Sequence, residues 1–430
     1  LAAVAQHNTI IAIEDVNVLT MTDETPLTHQ RVLIRDGKIF KIEPNDTTLS
    51  EDISQTIDAR GKYLIPGLAE MHYHFRSNDI NSDLKLLLAN GITTVRNMAA
   101  SPDNDQIEIR NRTRSGKLLP VNYFTTGPYL QSKDLATAAD VVKVVKLHQE
   151  KEYDFLKIAD NLPENIYVKL LTQCQAAKIP VVGHAQRALP VEYSTRMKSI
   201  EHIEEFVYLS PQQNEKSFFE QDEDKLNKLA AQLKSSGVYI GTTLVGFEFI
   251  TNCLNDERFS KLQSSPLKKY LAKKERNAFL TEQNDYRKLR HREFNGQKAV
   301  DLFDDYFKWM KRFATILYEN KVPMLAGSDT YGMTIVGFSL HREFELLQEC
   351  GMKPYDILLA STATPARYLN NYAESGTIAT GKNADLVLLD DNPLIDIRNT
   401  QKIAGVMVKG QWFDRSKLDT MLQEVEAAYR

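Results

Sequence analysis

Through the middle of the chain, short apolar runs alternate with stretches whose apolar residues recur at helical spacing, which predicts strands and helices in turn. The strand-like runs fall at 68–72, 92–98, 123–128, 155–159, 181–185, 199–203, 238–244 and 324–329. Helical patterns occupy most of the gaps, as at 83–90, 136–152, 163–178 and 225–235. Gly91 and Gly351 stand where C-terminal helix caps belong. Strand followed by helix, repeated, marks a parallel sheet. Eight such units over roughly 300 residues predict an α/β fold of the (β/α)8 barrel type.

The two ends read as β structure. Residues 11–19 and 32–42, the latter broken by Asp36-Gly37, are short apolar runs, as are 385–390 and 406–413, with turn residues at Gly381, Pro393 and Gly410. Neither end has enough strands for a stable sheet alone, so both are expected to pair into one small composite β domain. This divides the chain into residues 1–65 and 374–430 for the β domain, the second ending in a surface helix, and 66–373 for the barrel. One gap is too long. Roughly 80 residues separate the seventh and eighth strand runs, where short loops around one helix are usual. Ala299, Leu302, Phe303, Tyr306, Met310, Phe313 and Leu317 place the barrel helix at 297–319. Residues 247–295 are then a helical insertion over the seventh loop.

Composition narrows the function classes. The chain has 430 residues, 42% hydrophobic and 26% charged, which is the make-up of a globular protein. No apolar run approaches the ~20 residues of a membrane span. A net charge of −4 favours neither nucleic acid nor a membrane surface as partner, which leaves a small-molecule substrate and allows a homo-oligomer. Cys174, Cys253 and Cys350 form neither a disulfide framework nor a zinc spacing, and Cys174 shares a helical stripe with Ile166 and Leu170 that predicts core packing. Ala3-Val4-Ala5 before Gln6 reads like the end of a secretory signal, which predicts a periplasmic or secreted protein; without such a signal a cytoplasmic one is expected.

The chemistry gathers at strand ends. His72 and His74 lie two apart in Glu70-Met71-His72-Tyr73-His74, so both point to one side of the first strand. His184 closes the fifth run, His202 the sixth and Asp329 the eighth. The carboxyl ends of barrel strands are where active sites form, so these five should converge. Lys157 sits among apolar residues in Phe155-Leu156-Lys157-Ile158-Ala159, where an unpaired ammonium is costly. One account is a salt bridge to Asp154 or Asp160. The other is that the neutral amine takes up carbon dioxide, giving a carbamate whose two oxygens can bridge two cations. His72, His74 and Asp329 would then serve one metal and His184 and His202 the other, a donor set that suits zinc.

With these residues in view, the chain resembles the amidohydrolase superfamily, and within it the branch of imidazolonepropionase-related proteins and Xaa-Pro dipeptidases of the prolidase-like type. The resemblance runs through Leu64-Ile65-Pro66-Gly67 to His74, Gly91-Ile92-Thr93-Thr94-Val95-Arg96-Asn97-Met98, 153–158, 182–185, 199–202 and 326–330. It continues through Ala360-Ser361-Thr362-Ala363-Thr364-Pro365-Ala366 and Gly376-Thr377-Ile378-Ala379-Thr380-Gly381-Lys382-Asn383-Ala384-Asp385-Leu386. It implies two divalent metal ions bridged by a carbamate on Lys157. It also implies attack of a metal-bridging hydroxide on an amide or ester, with Asp329 as the proton shuttle.

Substrate residues are where the chain departs from its relatives. Prolidase-like relatives carry Gly-His-Gly after the third strand; 127–134 has no histidine, and Tyr129 is the expected substitute. Where relatives offer a tyrosine after the seventh strand, this chain has Phe247. His341, after the eighth, is either a substrate contact or a packing residue. The insertion's cations, Lys268, Lys269, Lys273, Lys274, Arg276, Arg287, Lys288, Arg290 and Arg292, read as a solvated helix face or as a lid offering a cation to a substrate carboxylate. The resulting expectation is a dipeptidase, on Xaa-Pro for example, or an N-acyl amino acid hydrolase. Its rivals are hydrolysis of a cyclic amide, lactone or carbamate, and an inactive barrel serving as a scaffold.

Overall fold

A computed structural model describes residues 9–75, 79–99, 105–209, 216–330 and 334–430. The expectation of an export signal rests on Ala3-Val4-Ala5, which lies outside the described residues. Eight parallel strands form a barrel: Leu68–Tyr73, Ile92–Asn97, Asn122–Thr125, Leu156–Ile158, Val181–Gly183, Ser199–Glu201, Tyr239–Gly241 and Met324–Leu325. The first three pair in order, as do the last five. The two groups join where Ala159 N donates to Leu130 O (2.9 Å) and Met71 N donates to Ala326 O (3.1 Å). Each sequence run therefore overlaps one barrel strand. Five of the eight are buried at every position, because strands covered on both faces hold apolar residues without alternation.

Most strands stop before their runs do, the seventh and eighth among them. The seventh strand stops at Gly241, and Leu244–Leu254 is a helix whose first amides, Leu244 N and Val245 N, donate to the buried Glu343 carboxylate at 3.1 and 2.7 Å. The eighth stops at Leu325, and Gly327 brings the chain against the first strand. A Cβ on Gly327 would lie 2.7 Å from His72 Cβ, so only glycine permits this approach.

The second layer is a mixed sheet built from both chain ends. Ile10–Val18 pairs antiparallel with Leu27–Arg35, which turns at Asp36-Gly37 into Lys38–Pro44. Tyr63–Pro66 runs parallel to Ile10–Val18 on one side and antiparallel to Leu386–Leu389 on the other, followed by Ile403–Val408 and Gln411–Asp414. Leu64, Leu386, Leu388 and Met407 pack with Ile13, Val16, Val32 and Ile34 into the core of this sheet. The fold is thus a (β/α)8 barrel with a composite β domain. The C-terminal helix Arg415–Ala428 lies on barrel helix Ile80–Ala89, where Lys85 pairs with Glu424 at 2.8 Å.

The insertion is helical, at Asp256–Ser264, Lys273–Phe279 and Asp285–Lys288, and ends in a hairpin of Glu293–Phe294 and Gln297–Lys298. Barrel helix Ala299–Glu319 follows. No helix among the described residues is long and apolar enough to cross a membrane.

Candidate metal centre

The barrel interior beneath the site is closed by Met71, Met98, Phe155, Val182, Leu325 and Tyr368, all buried. Above this floor the strand ends bring together all six side chains singled out from the sequence. One ligand atom from each of His72, His74 and Asp329 lies within 4.8 Å of the others. His74 Nε2 is 3.1 Å from Asp329 Oδ1. The His202 ring centroid is 4.5 Å from that of His72 and 5.0 Å from that of His184. Lys157 Nζ lies 3.3 Å from His72 Nε2.

Backbone constraints hold these groups in place. His202 and Asp329 adopt φ of 73° and 46°, left-handed conformations that side-chain-bearing residues hold only when their surroundings demand it. Thr330 clamps the first strand to the eighth: its Oγ1 accepts from His74 N (2.7 Å) and donates to His74 O (3.0 Å). Gly183 lets the fifth strand pass the fourth, since a Cβ there would meet Ile158 O at 2.0 Å.

Around this cluster lies a buried acidic network that the sequence reading did not identify. Glu201, fully buried, lies 3.0 Å from His72 Nδ1 through Oε2 and takes Arg96 Nη2 on both oxygens at 2.9 and 2.8 Å. Ser199 Oγ donates to Glu201 Oε1 at 2.5 Å. Burial opposes the Glu201 charge, but Arg96 foremost, with His72 and Ser199, holds the carboxyl well below the usual range. His72 therefore presents Nε2 to the cleft. Glu70, also fully buried, accepts from His72 N and Ser328 N, both at 2.9 Å, tying strands one and eight together. Its signal was present, since residues 70, 72 and 74 share one strand face. His202 Nδ1 meets Thr243 Oγ1 at 2.8 Å, and His184 Nδ1 lies 3.3 Å from Glu205 Oε1.

The protonation states follow from burial. It drives His72 down to about 3 and lowers His184 and His202, so all three imidazoles are neutral near pH 7 with a lone pair to give. Burial opposes the Asp329 charge, yet the hydrogen bond from His74 and the other imidazoles hold this carboxyl ionised. Burial pulls the Lys157 ammonium down to about 8, more than Asp329 and Glu201 raise it. The salt-bridge account of Lys157 does not hold. Asp154 instead takes Arg110 at 3.0 Å, and Asp160 takes Ser132 N at 2.6 Å and Ser132 Oγ at 3.1 Å.

A cleft of about 430 Å³ opens over the cluster, lined by His74, Lys157, His184, His202 and Asp329 together with Tyr129, Glu204, Phe247, Phe249, Ile250 and Tyr286. Tyr129, 44% exposed, places its ring 5.7 Å from Lys157 Nζ. Phe247 reaches the cleft too, but stacks on Phe303 and Phe307, which makes it wall rather than a polar contact. His341 does not line the cleft. It is buried on helix Phe338–Glu349, with Nδ1 2.9 Å from Thr400 Oγ1 and Nε2 3.1 Å from Asn90 O, both ring nitrogens spent on packing the barrel. Several of the insertion's cations are likewise engaged elsewhere. Arg287 pairs with Glu282 (3.1 Å) and Asp256, Lys269 with Glu426 (3.0 Å), and Lys288 with Asp285 (2.7 Å). Among the described residues, no insertion cation lines the cleft.

Residues 63–413 match the amidohydrolase family, and the chain belongs to it. That family is typically metal-dependent. A dihydroorotase of Carboxydothermus hydrogenoformans is 34% identical over 118 residues, covering 25% of this chain and 26% of that protein. The chain thus matches only about a quarter of the length of that curated relative. A solved Xaa-Pro dipeptidase with methionine bound in its active site superposes with a TM-score of 0.68 at 17% identity, covering 94% of this chain and all of that one. A bottromycin amidohydrolase gives a TM-score of 0.76 at 21% identity, covering 97% and 90%.

Proposed function

We propose that the chain is a binuclear metal-dependent amidohydrolase that cleaves the amide bond of a dipeptide, such as Xaa-Pro, or of an N-acyl amino acid. The observation that carries this reading is the convergence of three imidazole and carboxylate donors within 4.8 Å, with the buried amine of Lys157 3.3 Å from one of them. The donors fit divalent metal, zinc above all: neutral imidazoles, an ionised carboxylate, and Glu201 orienting His72 from behind. His72, His74 and Asp329 would hold one ion and His184 and His202 the other, with a carbamate on Lys157 between them. At pH 7 a pKa of about 8 leaves about 9% of the Lys157 amine neutral, against about 0.03% at 10.5, so burial itself prepares it for carbon dioxide. When bound, the metals supply Lewis-acid polarisation of the scissile carbonyl and acidify the attacking water.

The chain's own residues do the rest. Asp329, held by His74, accepts the proton of the attacking water and delivers it to the leaving amine. Phe247, Phe249 and Ile250 form an apolar wall that excludes bulk water from the cluster. Tyr129 stands at the open side, where it can donate to the substrate.

The local identity to dihydroorotases, and a 27% match over 111 residues to an L-hydantoinase of Paenarthrobacter aurescens, favour a cyclic amide as the second reading. A screen of the zinc-loaded enzyme against Xaa-Pro and other dipeptides, N-acyl amino acids, dihydroorotate and hydantoins separates them. Turnover confined to the cyclic compounds would replace the first reading with the second.

A further inference from the structure

The substrate reading above leaves two linear amides, which differ at one group. A dipeptide carries an ammonium beside the scissile carbonyl, and an N-acyl amino acid carries none. The cleft holds a feature that discriminates between them. Glu204, two residues beyond His202, lines it alongside Tyr129, Phe249 and Tyr286. Its neighbour Glu205 is engaged, gripped by Arg187 through Nε at 2.8 Å and Nη2 at 2.7 Å, with His184 Nδ1 3.3 Å away. Among the described residues the Glu204 carboxyl takes no hydrogen bond and joins no ion pair. Of the insertion's cations, Lys269, Arg287, Lys288 and Arg290 are paired on the insertion itself or with the C-terminal helix.

An acid with no hydrogen-bond or ion-pair partner among the described residues, in a half-closed cleft that aromatic residues also line, is a surrounding that takes up an organic cation. The acid supplies a charge-assisted hydrogen bond and the rings supply cation–π attraction. An uncharged acyl chain offers this carboxyl no such partner, which favours the substrate that carries the cation. Resting on the amide-hydrolase reading above, we propose that Glu204 is a specificity-determining residue that holds the ammonium group of the substrate, and that the chain acts on dipeptides with a free N-terminus in preference to N-acylated compounds.

The test compares Leu-Pro with N-acetyl-Leu-Pro, which share the scissile amide and differ at the terminal nitrogen, an ammonium in one and a neutral acetamide in the other. Zinc-loaded wild-type enzyme is expected to favour Leu-Pro in kcat/KM by about ten- to a hundredfold, the range spanned by a hydrogen bond to a charged group. Glu204→Gln, with Glu204→Met as a second variant, should bring that ratio close to one at equal zinc content, mainly through a higher KM for Leu-Pro. Equal rates in the wild type, or a ratio that survives in both variants, overturns the inference. A second arm needs no turnover: calorimetric binding of choline, whose nitrogen cannot ligate zinc, against its neutral isostere 3,3-dimethylbutan-1-ol. Tighter choline binding that Glu204→Gln abolishes supports the cation site even if neither peptide is cleaved, in which case only the dipeptide reading fails. Equal or undetectable binding of both probes, with both peptides cleaved alike, removes the cation site and leaves the hydrolase reading intact.

Discussion

Replacing Lys157 with methionine tests whether this amine is kept for modification or for structural support. Burial lowers its pKa from 10.5 to about 8, even with Asp329 and Glu201 pulling the other way. That gap corresponds to about 3 kcal/mol against the charged amine in the fold. The unfolded chain keeps the higher value, so between about 8 and 10.5 it binds more protons than the native chain, and stability rises with pH across that window. Below about pH 8 the native protein bears the full cost. Lys157→Met keeps the length of the side chain and removes the charge. In metal-free, bicarbonate-free buffer at pH 7 the variant should therefore gain up to about 3 kcal/mol over the wild type. The gain should close toward pH 10. Urea unfolding followed by tryptophan fluorescence at both pH values measures it, and the same variant should lose most of its zinc uptake. Unfolding of Lys157→Met at lower urea than the wild type at pH 7 would refute the reasoning, because the amine would then be a stabilising ion-pair partner.

Two other substitutions probe separate parts of the site. Asp329→Asn should keep much of the zinc yet lose about 10²- to 10⁴-fold in turnover, the range a positioned proton-transfer group supplies; steady-state rates at matched zinc content decide it, and an unchanged rate removes the shuttle role. Glu201→Gln should weaken zinc binding about 10- to 100-fold by releasing His72 Nδ1, and destabilise the fold by about 3–5 kcal/mol by leaving Arg96 buried without its carboxylate. Adding Arg96→Met should restore much of the stability but not the zinc affinity, as competition with a chelator and urea unfolding would show; full zinc affinity in either variant would contradict the orienting role.

The barrel was legible because its strands are buried on both faces and so read as apolar runs between helices. The ends of those runs were less so, since Leu244 belongs to a helix only because Glu343, 99 positions later, caps its first amides. Strand Ile53–Asp58 escaped notice because its Ser54, Gln55 and Thr56 are exposed and no apolar run forms. Five of the six chemical side chains were visible as polar residues at strand ends, and Lys157 as a cation inside an apolar strand. Their partners were not. Glu201 meets Arg96 only because barrel closure joins residues 105 positions apart, and nothing local in either segment announces the pair. Glu204 was overlooked beside the conspicuous His202. His341 is ambiguous in the sequence for a different reason: its place after the eighth strand says nothing of which face of its helix it occupies, and that face looks toward Asn90 and Thr400. The sequence leaves the insertion's cations open between a solvated face and a lid because the acidic partners of several, Asp256, Glu282 and Glu426, lie on neighbouring turns and on the terminal helix.

The central claim is that six side chains hold two metal ions around a carbamate on Lys157. Elemental analysis of the protein after incubation with zinc and ¹³C-bicarbonate, with the carbamate carbon followed by ¹³C NMR, tests it most directly. The account predicts two zinc ions per chain and a ¹³C signal that disappears in Lys157→Met. A protein that binds no zinc, or binds two without any carbamate carbon, would contradict it.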